Sequence, residues 1–172
     1  VYRVVGDGTK VLSEIQAAIA LSPRKESFWI EAGAVEWDMG NTEAARKDFY
    51  TAYEFGKQFR DLAVYAAAGD IAVGDSAAAD KVLREAYGTT EVDSDILAVA
   101  YYRTKDWPRL IALWKMRTAA PSAIVDTWFS LAAAYYASGD AANAIATINK
   151  AVALFPDAAS SGAAAIKQIE GN

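Results

Sequence analysis

Residues 125–158 read VDTWFSLAAAYYASGDAANAIATINKAVALFPDA, and the dipeptide in their middle decides the fold. Gly139 is free to take the left-handed conformation that ends one helix. Asp140 carries the side-chain oxygen that caps the first free amides of the next. Two antiparallel helices joined this tightly form a helical hairpin. One Gly-Asp alone is an ordinary turn. The same signal, however, stands at Gly6-Asp7, Gly40-Asn41 and Gly74-Asp75 at intervals of 34 residues, and Lys105-Asp106 lies 34 residues before Gly139-Asp140. Only the step from Gly74 to Lys105 is shorter, at 31, and the contraction falls in the turn around Gly88 to Glu91. A fixed period of this length marks a solenoid of stacked hairpins.

Composition agrees with packed helices. Of the 172 residues, 53% are hydrophobic, enough to bury a substantial core. Alanine runs such as Ala66-Ala67-Ala68, Ala77-Ala78-Ala79 and Ala132-Ala133-Ala134 form helix without loss of side-chain entropy and let helices approach closely. The chain has no cysteine and no histidine, so disulfides, thiolate zinc sites and the commonest general base are missing. No cofactor or metal is expected. The net charge of −5 argues against a nucleic-acid surface, which needs clustered Lys and Arg. No apolar run reaches the roughly 20 residues that span a bilayer, so no membrane insertion is expected of this segment. The sequence assigns no compartment.

The residues around these turns resemble the tetratricopeptide repeat family, whose 34-residue unit prefers set residues at set positions. In the copy quoted above, Trp128, Leu131, Ala132, Tyr135, Gly139, Ala144, Ala151 and Pro156 occupy signature positions. Earlier copies offer Trp29, Gly33, Ala45, Phe49 and Ala52, then Ala66, Ala67, Ala79, Leu83 and Ala86; the first keeps Tyr2, Gly6, Val11, Ile15, Ala18 and Pro23. The fourth keeps Leu97, Ala98, Tyr101 and Trp114 but carries Lys105, Leu110 and Arg117 where glycine and small residues are preferred, so looser packing is expected around 105–120. The resemblance implies an all-α, right-handed solenoid of helical hairpins. It would be a single domain over 1–172, with a truncated first repeat at 1–25, repeats at 26–59, 60–90, 91–124 (irregular) and 125–158, and a capping helix at 159–172. In that cap, Ala164, Ile166 and Ile169 are available for burial.

The resemblance also implies a site. First helices of such hairpins line a concave face, while Trp29, Phe49, Tyr101, Trp114, Trp128 and Tyr135 are expected in the core. Carried over, the concave positions are Ile30, Trp37, Asp38, Asp61, Val64, Asp95, Val99, Tyr102, Arg103, Asp126, Phe129 and Tyr136, with Arg3, Ala34, Ala68, Ile71 and Ala133 between them. This predicts an apolar, aromatic floor with carboxylates at its edges, suited to a peptide or helix of another protein or of the parent chain. The family's clamp for acidic chaperone tails needs Lys, Asn and Arg. Its positions here hold Ile30, Ala34, Val64, Ala68, Asp95 and Val99, so no such clamp is expected.

Enzymatic readings find little support. Ser13, Ser22, Ser76 and Ser130 have no histidine to activate them. Asp93-Ser94-Asp95 sits where a helix begins, so capping explains it better than metal binding. Gly6-Asp7-Gly8-Thr9-Lys10 lacks the P-loop spacing. The first expectation is therefore a non-catalytic protein-interaction scaffold. The chain is also similar, less specifically, to the C-terminal array of bacterial O-antigen ligase-type membrane proteins. That implies the alternative of a structural or regulatory appendage, with Val1 reading as a cut and Gly171-Asn172 as a true end. Weak self-association through Tyr2, Val4 and Val5 is a third expectation.

Overall fold

The computed structural model describes residues 7–171, and among them every regular element is helical. The chain packs as two compact units, the first ending at Thr104 and the second beginning at Lys105. The sequence reading gives one domain over 1–172. The division falls inside the fourth repeat, beside the positions that depart from the repeat pattern.

The first unit comprises α1 (Gly8–Leu21), α2 (Glu26–Asp38), α3 (Thr42–Phe55), α4 (Ala63–Ala72), α5 (Ser76–Tyr87) and α6 (Asp95–Thr104), with a 3-10 turn at Arg60–Leu62 leading into α4. Helices α2 and α3 form one hairpin and α4 and α5 the next, while α4 also packs on α3 and α6. Alanine makes this possible. Ala45 and Ala52 of α3 and Ala63, Ala66, Ala67 and Ala68 of α4 are all fully buried. At Gly33 a Cβ would lie 2.6 Å from the Phe49 ring, and at Gly69 it would lie 2.9 Å from the Arg46 backbone. Only hydrogen fits at either place.

The second unit comprises α7 (Trp107–Ala119), α8 (Val125–Ala137), α9 (Ala141–Leu154) and α10 (Ala159–Glu170), with a 3-10 turn at Pro156–Ala158. Helix α8 packs on α7 and α9, and α10 packs on α9. Its core holds Trp128, Leu131, Ala132, Ala134, Ala144, Ile148 and Ala151. Helix α7 buries only Leu110 and Leu113, so the bulky Leu110 is accommodated rather than expelled. Pro108 sits in the first turn of α7, where its missing amide has no helical partner to lose.

The glycine and aspartate turns behave as their residues dictate. Gly40, Gly74 and Gly139 have φ of 85°, 86° and 88°. Lys105 is also left-handed, at 59°. Asp75 accepts a hydrogen bond from the Ala78 amide (3.0 Å), Asp106 from Arg109 (3.3 Å) and Asp140 from Asn143 (3.0 Å). Asn41 does not cap, contrary to expectation; its amide donates instead to Glu36 at 2.6 Å. Gly6 and the apolar residues Tyr2, Val4 and Val5 lie outside the described residues.

The expected core is only partly right. Phe49, Tyr101 and Trp128 are buried, but Trp29, Trp114 and Tyr135 are half-buried. In α10, Ile166 and Ile169 are half-buried and Ala164 is exposed. The buried residue there is Gly162, where a Cβ would lie 2.5 Å from Val152 Cγ2. Among the described residues no helix is long and apolar enough to cross a membrane.

Candidate functional site

The first helices of the hairpins present the expected positions differently in the two units. In the first unit α4 is buried along nearly its whole length. Val64, Ala68 and Ile71, expected as open floor, are 7%, 0% and 3% exposed. Trp37 on α2 is also buried, at 7%. Its ring meets Phe49 edge-on at 6.1 Å, and the Arg103 guanidinium lies 4.8 Å from the ring centroid. Arg103 also pairs with Asp38. These three residues are thus brought together, and the floor here is closed by the chain's own side chains. Ile30 and Val99 are half-buried, Asp61 and Asp95 exposed, and Tyr102 is 63% exposed. Asp61 accepts from the Tyr87 hydroxyl at 3.3 Å. Burial, and then that carboxylate, push the Tyr87 hydroxyl above its ordinary pKa.

In the second unit the corresponding positions stay open. Phe129, Ala132, Ala133 and Tyr136 form one wall of a cleft of about 200 Å³, with Ile148 of α9 and Ala165, Gln168 and Ile169 of α10 forming the rest. Spacings of three and four residues on α8 put that wall on one helix face. Helix α10 supplies the far wall. Asp126, one turn before Phe129, is exposed. An apolar cleft of this size, open on one side, suits a single large aliphatic or aromatic side chain.

Sequence reasoning missed one polar constellation. Asp70 on α4 is fully buried and accepts from Arg46 Nε (2.8 Å) and the Tyr50 hydroxyl (2.7 Å), both on α3. Burial pushes its carboxyl above the ordinary value, while Tyr50 and Arg46 pull the other way. A buried carboxylate is tolerated only when its oxygens are held in this manner. The available signal was a lone aspartate inside the apolar run Ala63 to Val73. Its partners, 24 and 20 residues away, could not be read from local pattern. The triad fastens α3 to α4, so we assign it to structure. Among the described residues no three His, Cys, Asp or Glu side chains gather as a metal site would require.

Residues 125–157 match the family model described as Tetratricopeptide repeat. The fold is similar to that of the MamA protein in its crystal structure, with 15% identity, 90% of this chain and 86% of that one covered, and a TM-score of 0.57. The crystal structure of the APC/C hetero-tetramer Cut9-Hcn1 gives 16% identity over 95% of this chain and 40% of that one, at a TM-score of 0.37. No curated protein sequence matches the chain.

Proposed function

Taking the tetratricopeptide repeat at residues 125–157 and the helical-hairpin fold around it as premise, we propose that this chain is a non-catalytic protein-interaction scaffold. It holds a peptide or helix of another protein, or of its parent chain, against the first helices of its hairpins. The observation that carries this reading is the cleft between α8 and α10, where Phe129 and Tyr136 line an apolar cavity. Partly exposed aromatic rings at the rim of a pocket are the residues that commonly dominate binding energy.

The test is a random-peptide library displayed on phage and selected on the chain. Selected peptides are then titrated against Phe129→Ala and Tyr136→Ala. Each variant is expected to keep its helicity by circular dichroism and to weaken binding by about 2 kcal/mol, roughly thirtyfold. Peptides that bind both variants as tightly as the original chain would refute the cleft as the site. Cross-linking within the parent protein that maps Tyr136 to another part of the same polypeptide would favour the appendage role, which the resemblance to O-antigen ligase-type membrane proteins implies, over a separate partner.

A further inference from the structure

We propose that the Trp37 ring and the Asp38 carboxylate form a receptor for a guanidinium group, filled in cis by Arg103. An arginine-bearing segment of a protein partner then docks by displacing Arg103. The proposal rests on the scaffold reading and names the chemistry of its ligand.

The receptor is built from two consecutive residues at the end of α2. Trp37 is held by packing: its ring and that of Phe49 meet nearly perpendicular, and Phe49 is fully buried and itself packs on Tyr65 at 5.7 Å. The Arg103 guanidinium lies over the same ring, 4.8 Å from its centroid. The same guanidinium pairs with Asp38 through a terminal nitrogen. An aromatic face beside a carboxylate satisfies both things arginine offers, a delocalised cation that stacks and N–H donors that pair. Because the ring is fixed by packing, the receptor is organised before any ligand arrives.

What fills it is exchangeable. Arg103 comes from the last turn of α6, 65 residues later in the chain, and keeps 35% of its side-chain surface in water, while Asp38 keeps 22%. The pairing of Arg46 with Asp70 is different in kind, since that carboxylate is wholly buried. A pair that remains wet is only weakly held and can be replaced by a better-placed cation. A chain of net charge −5 also attracts cationic segments at long range.

The experiment replaces Arg103 and supplies the cation in solution. Arg103→Ala and Arg103→Gln are compared with the original chain, using acetyl-arginine-amide as probe and the uncharged acetyl-citrulline-amide as control. The readout is the indole N–H resonance of Trp37. Expected is binding about tenfold tighter in both variants than in the original chain, lost on adding Asp38→Asn, with no response to citrulline. Equal response of variant and original chain, equal response to citrulline, or unfolding of both variants would overturn the proposal and leave Arg103 a structural brace. Library-selected peptides that depend on Tyr136 but ignore Asp38→Asn would overturn it while leaving the scaffold reading in place. Arginine binding at Trp37 in a chain that selects no peptide would have the opposite meaning.

Discussion

Lys105 is the residue where local conformation and local chemistry disagree. Its φ of 59° lies in the region that Gly40, Gly74 and Gly139 occupy without strain. A Cβ there crowds the backbone and costs about 1 kcal/mol. Lys105→Gly is therefore expected to raise stability by up to about 1 kcal/mol, reduced somewhat because glycine also loosens the unfolded chain. Gly139→Lys should lower it by a similar amount, and urea denaturation midpoints of the two variants check the pair. A loss in Lys105→Gly would mean that the lysine side chain contributes something its backbone does not reveal. Asp70 is the complementary case. An aspartate within Ala63 to Val73 reads as out of place, but only its neighbours in space reveal that Arg46 and Tyr50 hold it.

Among elements, α10 has the most specific consequence. It is short and buries one residue fully, Gly162, against Val152 of α9. A larger side chain there must push the helix outward. Gly162→Leu is expected to cost about 1–3 kcal/mol in local packing and to free α10 from α9. Because α10 forms the far wall of the cleft with Ala165 and Ile169, the variant should lose peptide binding without touching the ligand. Limited proteolysis should cut within 159–170 in the variant before the rest of the chain, and titration with a library-selected peptide should show the parallel loss. Intact α10 with full binding would sink the idea that this helix completes the site. A further helix is legible from the polar and apolar residues after Pro156. Its anchor is not, since a glycine carries no hydrophobic signal, and Ala164 was assigned the burial that Gly162 has.

For the molecule as a whole, acidity shapes stability as well as steering. Asp48 on α3 has its carboxyl pushed from the ordinary value of 3.8 to about 6, chiefly by burial and then by Glu36, with Lys47 opposing. In the unfolded chain it releases its proton near the ordinary value, so the folded state holds that proton longer. The stabilisation is fully present below pH 4 and fades as pH rises through 6. Asp70, also shifted upward, works in the same direction. Thermal midpoints are therefore expected to rise as pH falls from 7 to 5, and Asp48→Asn should flatten that rise. A midpoint that falls from pH 7 to 5, or an unchanged slope in the variant, would contradict this.

By itself the sequence determined the repeat period, the helical hairpins, their turns and most capping aspartates. These are properties of residues within a few positions of one another, where backbone preference and side-chain reach decide the outcome. It also placed Phe129 and Tyr136 on one helix face, since 3.6-residue periodicity needs no tertiary information. Only the tertiary structure decided which of the expected floor residues a partner can reach. Val64, Ile71 and Trp37 carry the right residue types, yet α4 is packed on three helices and Arg103 covers the Trp37 ring. Accessibility depends on how closely successive helices approach, and that is set by small residues such as Gly33 and Gly69 meeting side chains from another helix. The division at Thr104 and Lys105 belongs to the same class. It depends on contacts within each unit between residues far apart in the chain, although the departures at Lys105, Leu110 and Arg117 lie beside it. The helical hairpins are those the sequence implies, but the open aromatic surface is narrower than the repeat pattern implies, because the chain's own side chains fill part of it.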